Sequence, residues 1–248
     1  MNKGLFFLAA MVFGLTIATR AQSVGINDDG STPNNKAILD LNSSTKGFLP
    51  PRMATADITA ITAPIPEGLN VYNTSLHCMV FYDGTVWRKF DGSFMTPPVI
   101  GQSYGGGIVF YVDGTGQHGL IAATSDQSST ATWGCMGTLI FGTSNSIGTG
   151  QANTTKIVTD CSDVGNAARI CDELEFNGYS DWFLPSWGEL IEMYQQRAVI
   201  GGFPDSPVFY WSSTEDSNNS ARALFFYNGY GVYPNKSDNN YVRAIRAY

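Results

Sequence analysis

The dipeptides Asp83-Gly84 and Asn228-Gly229, and the run Asp113-Gly114-Thr115-Gly116, each sit between two short apolar stretches. Asx-Gly pairs tolerate positive φ at both central positions, so they turn a chain back on itself as an antiparallel hairpin. They predict strand pairs over Cys78 to Tyr82 with Val86 to Phe90, Ile108 to Val112 with Gly119 to Thr124, and Ala223 to Tyr227 with Tyr230 to Tyr233. Leu69 to Tyr72, Val208 to Ser213 and Tyr241 to Tyr248 read as further strands. With 27 glycines, 11 prolines and 13% aromatic residues, the chain favours short strands and loops over long helices.

Two helices interrupt the strands. Val164, Ala167, Ala168, Ile170, Cys171 and Leu174 fall at helical spacing, and Asn177-Gly178 supplies a stop. A second helix opens at Ser186-Trp187-Gly188-Glu189, a complete capping box, with Leu190, Ile191 and Tyr194 continuing the apolar stripe of Trp187. Glu189 therefore reads as a cap and not as a catalytic acid. Strands, two helices and strands again predict an α+β domain.

Residues 1–21 carry the marks of a signal peptide: Lys3, an apolar run from Leu5 to Ile17, and the small-residue site Ala18-Thr19-Arg20-Ala21. The run is short for a membrane span, and no other stretch approaches one. Without Lys3 and Arg20, 12 basic residues face 21 acidic ones, a net −9. Such a charge argues against a nucleic-acid partner. Export permits disulfides. The cysteines are Cys78, Cys135, Cys161 and Cys171, which allow three full pairings. Cys171 lies in a helical pattern as a buried thiol would, whereas Cys135 and Cys161 flank a Gly/Thr/Ser-rich loop where a crosslink removes most chain freedom, so that pairing is favoured. Residues 22–95 read as a β-rich stalk or presentation module, thin in apolar positions. Thr96-Pro97-Pro98 marks a linker over 96–100, and residues 101–248 form the larger domain.

In the first module, Val24-Gly25-Ile26, Ala37-Ile38-Leu39-Asp40-Leu41, Lys46-Gly47-Phe48-Leu49-Pro50-Pro51-Arg52-Met53 and Phe81-Tyr82-Asp83-Gly84-Thr85-Val86-Trp87 resemble N-terminal modules of exported Bacteroidetes-type fibre-like proteins, which implies homotrimeric assembly. In the second, Gly178-Tyr-Ser-Asp-Trp-Phe-Leu-Pro-Ser-Trp-Gly-Glu-Leu190, Tyr210-Trp-Ser-Ser-Thr214 and Val242-Arg-Ala-Ile-Arg246 resemble the Lcl C-terminal domain family, which implies a C-type-lectin-like fold. Gly119 to Ala123, Trp133 to Cys135 and Gly148 to Thr154 match as well. The resemblance makes Trp182, Pro185, Ser186, Glu189, Trp211, Arg243 and Arg246 scaffold. At least one of Arg243 and Arg246 needs an internal carboxylate or carbonyl, and Asp181 is one candidate, equally readable as a turn residue. The Glu-Pro-Asn or Gln-Pro-Asp triplet and the Trp-Asn-Asp that hold calcium in related lectins have no match, so neither metal nor cofactor is expected.

Of the 27 residues from 215 to 241, 15 are Asn, Tyr, Ser or Asp. Tyrosine supplies rigid amphipathic contact area and Asn or Ser adaptable hydrogen bonds, as in antibody loops. Glu215, Asp216, Asn218, Asn219, Tyr227, Asn228, Tyr230, Tyr233, Asn239, Asn240 and Tyr241 are the candidate ligand-binding set, for a surface protein or glycan. The pattern also resembles variable proteins of diversity-generating retroelements. Catalytic signatures are missing: there is no Gly-x-Ser-x-Gly or His-Glu-x-x-His, and His77 and His118 fall in predicted hairpins. Gly105-Gly106-Gly107 precedes a strand and so lacks phosphate-loop geometry. The expectation is a secreted or cell-surface adhesion protein, with a structural fibre subunit or a surface-polymer hydrolase as alternatives.

Overall fold

Alternation of buried and exposed positions along short strands organises the computed structural model, which describes residues 23–248. The signal-peptide reading lies outside the described residues. The chain divides into two units, one of residues 23–64 and 70–79, the other of residues 65–69 and 80–248.

The first unit holds β1 (Val24–Asn27) and β2 (Leu39–Asn42), a parallel pair in the register Val24↔Leu39 to Asn27↔Asn42. It continues with β3 (Arg52–Met53), α1 (Thr55–Thr59) and β4 (Asn70–Asn73), β3 and β4 again being parallel. Ile58 and Val71 are buried here, and Asn73 ties the chain by accepting from the Ser75 and Leu76 amides. Val24, Ile26, Ile38, Leu39, Leu41, Phe48 and Leu49 are all exposed.

The second unit completes β5 (Cys78–Tyr82), pairs it with β6 (Trp87–Lys89), and builds two larger sheets. One contains β7 (Ser103–Tyr104), β8 (Gly107–Val112) and β9 (Gly119–Ala122). Between the sheets in sequence come β10 (Ser128–Ala131), α2 (Gly150–Asp160), α3 (Ala167–Asp172), α4 (Trp187–Gln195) and α5 (Arg197–Ile200). Then β11 (Phe209–Glu215), β12 (Ala221–Phe225), β13 (Tyr230–Val232), β14 (Asn240–Val242) and β15 (Ile245–Ala247) follow. Spatial orders are β15-β9-β8-β7 and β10-β14-β11-β12-β13. The unit is α+β.

Because strand side chains alternate between faces, β11 serves two cores. Trp211 joins a cluster with Trp133, Trp182, Ile157 and Cys171, and Tyr210 joins another with Phe110, Leu190, Met193 and Phe226. The three indoles of the first cluster are satisfied: Trp211 Nε1 donates to Ala131 O at 2.9 Å, Trp133 Nε1 to Ser212 O at 2.9 Å, and Trp182 Nε1 to Tyr179 O at 3.2 Å.

Four features depart from the sequence reading. The hairpin loops are longer than two residues, spanning 83–86 between Tyr82 and Trp87 and 226–229 between Phe225 and Tyr230, because Asx side chains cap the amides that follow. Thr96 to Ile100 lies inside the second unit, with Pro98 buried. The last strand is two, β14 beside β10 and β11, then β15 beside β9, with buried Arg243 at the break. α2 replaces part of the anticipated 135–161 loop.

The capping box at α4 reaches further than a cap. The Glu189 carboxylate is fully buried and accepts from Ser186 N at 2.7 Å, Gly148 N at 2.8 Å and Gly150 N at 3.4 Å, so it closes the start of α2 as well. Burial raises its pKa above the ordinary 4.5, opposed by those amide donors. Glu189→Gln replaces one acceptor oxygen with a donor facing an N–H, and should lower stability by about 1–3 kcal/mol in urea unfolding. A raised folded pKa means that the stability contributed by protonated Glu189 is present below 4.5 and fades as pH rises through the folded value. The wild-type-minus-variant difference should therefore be larger near pH 4.5 than at neutral pH.

Candidate functional site

Residues 219–236 form one antiparallel ribbon, flanked by turns at 216–218 and 237–239. β12 pairs with β13 from Ala223↔Val232 to Phe225↔Tyr230, and the pairing continues outward through Ala221 N to Pro234 O, a Ser220–Asn235 bridge, and Lys236 N to Asn219 O. Two glycines let this ribbon lie against α4. A Cβ on Gly229 would stand 2.7 Å from the Tyr194 ring, and one on Gly231 2.7 Å from Trp187, so any larger residue would lift the strand away. Tyr227, Tyr230 and Tyr233 are 67%, 71% and 56% exposed, Tyr230 on the face it shares with Phe225 and Tyr233 on the opposite face beside Arg222. Arg222 lies between Trp187 and Tyr233, its guanidinium carbon 5.6 Å and 5.3 Å from the ring centres. Trp187, Arg222 and Tyr233 thus form a short strip of two rings about one guanidinium, residue types enriched where proteins bind each other.

At its far end the ribbon meets the loop 134–147. Gly137 N donates to Asn218 O at 2.9 Å, and Trp133 N to Lys236 O at 2.9 Å. Beneath them the Lys236 ammonium is fully buried, paired with Glu215, donating to Thr138 O at 2.7 Å, and 4.6 Å from the centre of the Trp133 ring. Glu215 Oε1 also accepts from Ile140 N at 2.7 Å. The Cys135–Cys161 disulfide, with Cα atoms 5.6 Å apart, closes the loop at its base. Chain entropy alone assigns such a crosslink about 3–4 kcal/mol. Ile140 is buried, while Met136, Leu139 and Phe141 are exposed, Phe141 by 71%. Asp163 stands close to the two sulfurs, but these are bonded to each other, and its carboxylate accepts from Cys135 N.

The sequence-selected set thus separates. Asp216, Asn218, Asn219, Tyr227, Asn228, Tyr230, Tyr233 and Asn239 are exposed on the ribbon and its ends. Glu215 and Asn240 are not available to a ligand: Glu215 is held in the buried ion pair, and Asn240 is buried in β14. Tyr241 is half-buried, its ring 5.4 Å from that of Tyr210. In the sequence Trp187 reads only as part of a helix stripe, and Arg222, Met136, Leu139 and Phe141 are not singled out. Phe141 carries a signal in retrospect, a lone aromatic residue in a turn-rich segment with no periodic partner.

The scaffold arginines each find carboxylates. Arg246 forms a two-pronged pair with Asp181 at 2.7 and 2.8 Å, which holds the Asp181 carboxyl below its ordinary pKa, and its guanidinium lies 3.9 Å from the centre of the Tyr179 ring. Buried Arg243 donates to Asp126 at 2.7 Å and to the Ala123 and Gly202 carbonyls; Asp126 also accepts from the Tyr210 hydroxyl.

A profile of the Lcl C-terminal domain matches residues 122–246, just over half of the 248-residue chain. The chain belongs to the Lcl C-terminal domain family. Within this Lcl-type domain the matched span contains the whole ribbon, the loop 134–147 and both scaffold arginines. A second profile, the phage tail like trimerisation region, matches residues 25–103. No curated protein matches the chain. Among solved structures, a fimbrial protein from Bacteroides ovatus ATCC 8483 is 12% identical, with 78% of this chain and 67% of that one covered at a TM-score of 0.40. No helix among the described residues is long and apolar enough to cross a membrane.

The Lys236–Glu215 pair can be tested directly. Lys236→Met leaves Glu215 buried without its cation and should cost about 3–5 kcal/mol in denaturant unfolding, with faster amide exchange at Gly137 and Ile140. Adding Glu215→Leu removes the orphaned charge and should restore much of the loss.

Proposed function

We propose that this Lcl-family protein is exported, presents a C-type-lectin-like head at the cell surface, and uses the exposed tyrosines and amides of residues 216–239 to bind a surface protein or glycan. One observation carries the reading: Tyr227, Tyr230 and Tyr233 are exposed along a ribbon that is pinned at both ends. A rigid platform loses little entropy on binding, so exposed rings on it give more affinity than the same rings on a mobile loop. A binding role is favoured over an enzymatic one, because the ribbon offers rings, amides and one guanidinium, without a nucleophile and base side by side. Replacing all three tyrosines with alanine should reduce capture of a surface partner at least ~100-fold, about 2.7 kcal/mol, since buried tyrosines are frequent interface hot spots. Thermal unfolding should stay nearly unchanged; retained binding would overturn the assignment. Were the ribbon diversified by a retroelement, variation would be confined to exposed positions such as Tyr230 and Asn219, sparing Glu215, Lys236 and Asn240.

The first unit supports trimeric presentation. The match of residues 25–103 to a trimerisation region, which includes most of this unit, and the unit's row of exposed apolar residues agree. A small unit with so few buried hydrophobics gains its stability from association. In light scattering, the chain should run as a trimer, and Ile26→Asp with Leu41→Asp should shift it to monomer.

A further inference from the structure

We propose that a second site lies in the cleft of the second unit lined by Tyr104, Tyr179, Tyr248, Arg88 and Arg246, and that it takes a neutral saccharide ring. The cavity measures about 630 Å³ and lies within residues 83–248, sharing no lining residue with the ribbon. Its volume falls in the range of small-molecule sites.

The lining decides the ligand class by elimination. Each guanidinium is already neutralised, Arg88 by Asp83 at 2.5 Å and Arg246 by Asp181 at 2.7 Å, so the wall has no surplus positive charge to attract a phosphate or sulfate. A cationic ligand would face both arginines. Phe94, Tyr104 and Tyr248 pack edge to face on one another at 5.5–5.8 Å, leaving no space between them for an ammonium cage. A wholly apolar ligand would strand the polar groups of the wall.

What remains matches a sugar. A pyranose has an apolar C–H face and a belt of hydroxyls, and this wall pairs flat rings with donors and acceptors in fixed directions. A guanidinium carries five N–H groups. Arg88 gives one to Asp83 and one to Gly92 O, and Arg246 gives two to Asp181 and one to Gly105 O, so both keep donors beyond these bonds. Gln117 is locked by accepting from Phe94 N at 2.8 Å, and exposed His118 stands at the rim as a further hydrogen-bonding group. The paired arginines are held rigidly, one at 4.5 Å from the centre of the Phe94 ring and the other at 3.9 Å from that of Tyr179, as directional recognition of hydroxyls requires.

The test is saturation-transfer NMR on the full chain with lactose, maltose and N,N′-diacetylchitobiose as probes, followed by calorimetry, with a sulfated heparin disaccharide as the charged comparison. At least one neutral probe should bind and shift the Gly92 and Gly105 amides. Thr85→Trp, which fills the cleft from an exposed position, should weaken that binding at least ~tenfold, and His118→Ala should weaken it without altering thermal unfolding. Tyr230→Ala should leave it unchanged, which separates this site from the ribbon. The proposal is overturned if no neutral probe binds, if the sulfated disaccharide binds more tightly, or if both cleft variants bind like wild type.

Discussion

A lysine ammonium with no access to water holds together the part of this protein that faces outward. Lys236 sits where three chain segments meet: its side chain grips Glu215 at the end of β11 and Thr138 in the long loop, while its backbone bonds Asn219 and Trp133. Desolvating an ammonium is expensive, and one carboxylate rarely compensates alone. Here the Thr138 carbonyl and the face of Trp133 add to it, so the charge is satisfied from several sides. The same geometry explains why residues 216–239 can be so polar and still be ordered. Most of their polar side chains face solvent, Ala221, Ala223, Leu224 and Phe226 are buried, and their ends are fixed by a cluster that no single-segment pattern contains.

Glu189 plays the corresponding part at the start of α4. Its carboxylate binds backbone amides in place of a cation, joining the first turn of α4 to the chain entering α2. The two buried acids differ accordingly: Glu215 meets a full positive charge, whereas Glu189 meets only amide dipoles and is pushed toward its neutral form by burial. Between them the loop 134–147 is tied down by the disulfide, by buried Ile140 and by Ser144, whose carbonyl accepts from Thr214 Oγ1 and Asn153 Nδ2.

Which parts could be read from the sequence follows from the range of the forces involved. The α4 capping box was legible because both of its bonds close within four residues, Ser186 to Glu189. The hairpin positions were legible for the same reason, though their loops run longer because Asp83 and Asn228 spend their side chains on nearby amides. α2 was missed since its buried face carries Gly150, Asn153 and Thr154 beside Ile157, and polar residues facing a core erase the apolar period. Those polar groups are satisfied only in three dimensions, Thr154 by Leu184 and Asn153 by Ser213. Similarly, Glu215 and Asn240 look like display residues in a run of Asn, Tyr and Ser, and only the fold shows that they point inward. Asp126, the partner of Arg243, lies 117 residues away from it in sequence.

The two units show opposite solutions to burial. The second encloses four tryptophans, and Arg243 and Lys236 with their partners, and keeps its exposed aromatics to the ribbon, the loop and a few rims. The first leaves Ile38 and Leu49, among others, 81% and 74% exposed, a disposition that is unfavourable for a chain alone and favourable for one that associates. Association through such a unit would place several ribbons on one assembly. Each ribbon then need bind only weakly, because a second contact made while the first persists is effectively intramolecular and multiplies the residence time. That arithmetic suits a surface made of tyrosines and amides, whose individual contacts are adaptable and modest, and it gives the apolar exposure of one unit and the aromatic exposure of the other a common physical cause.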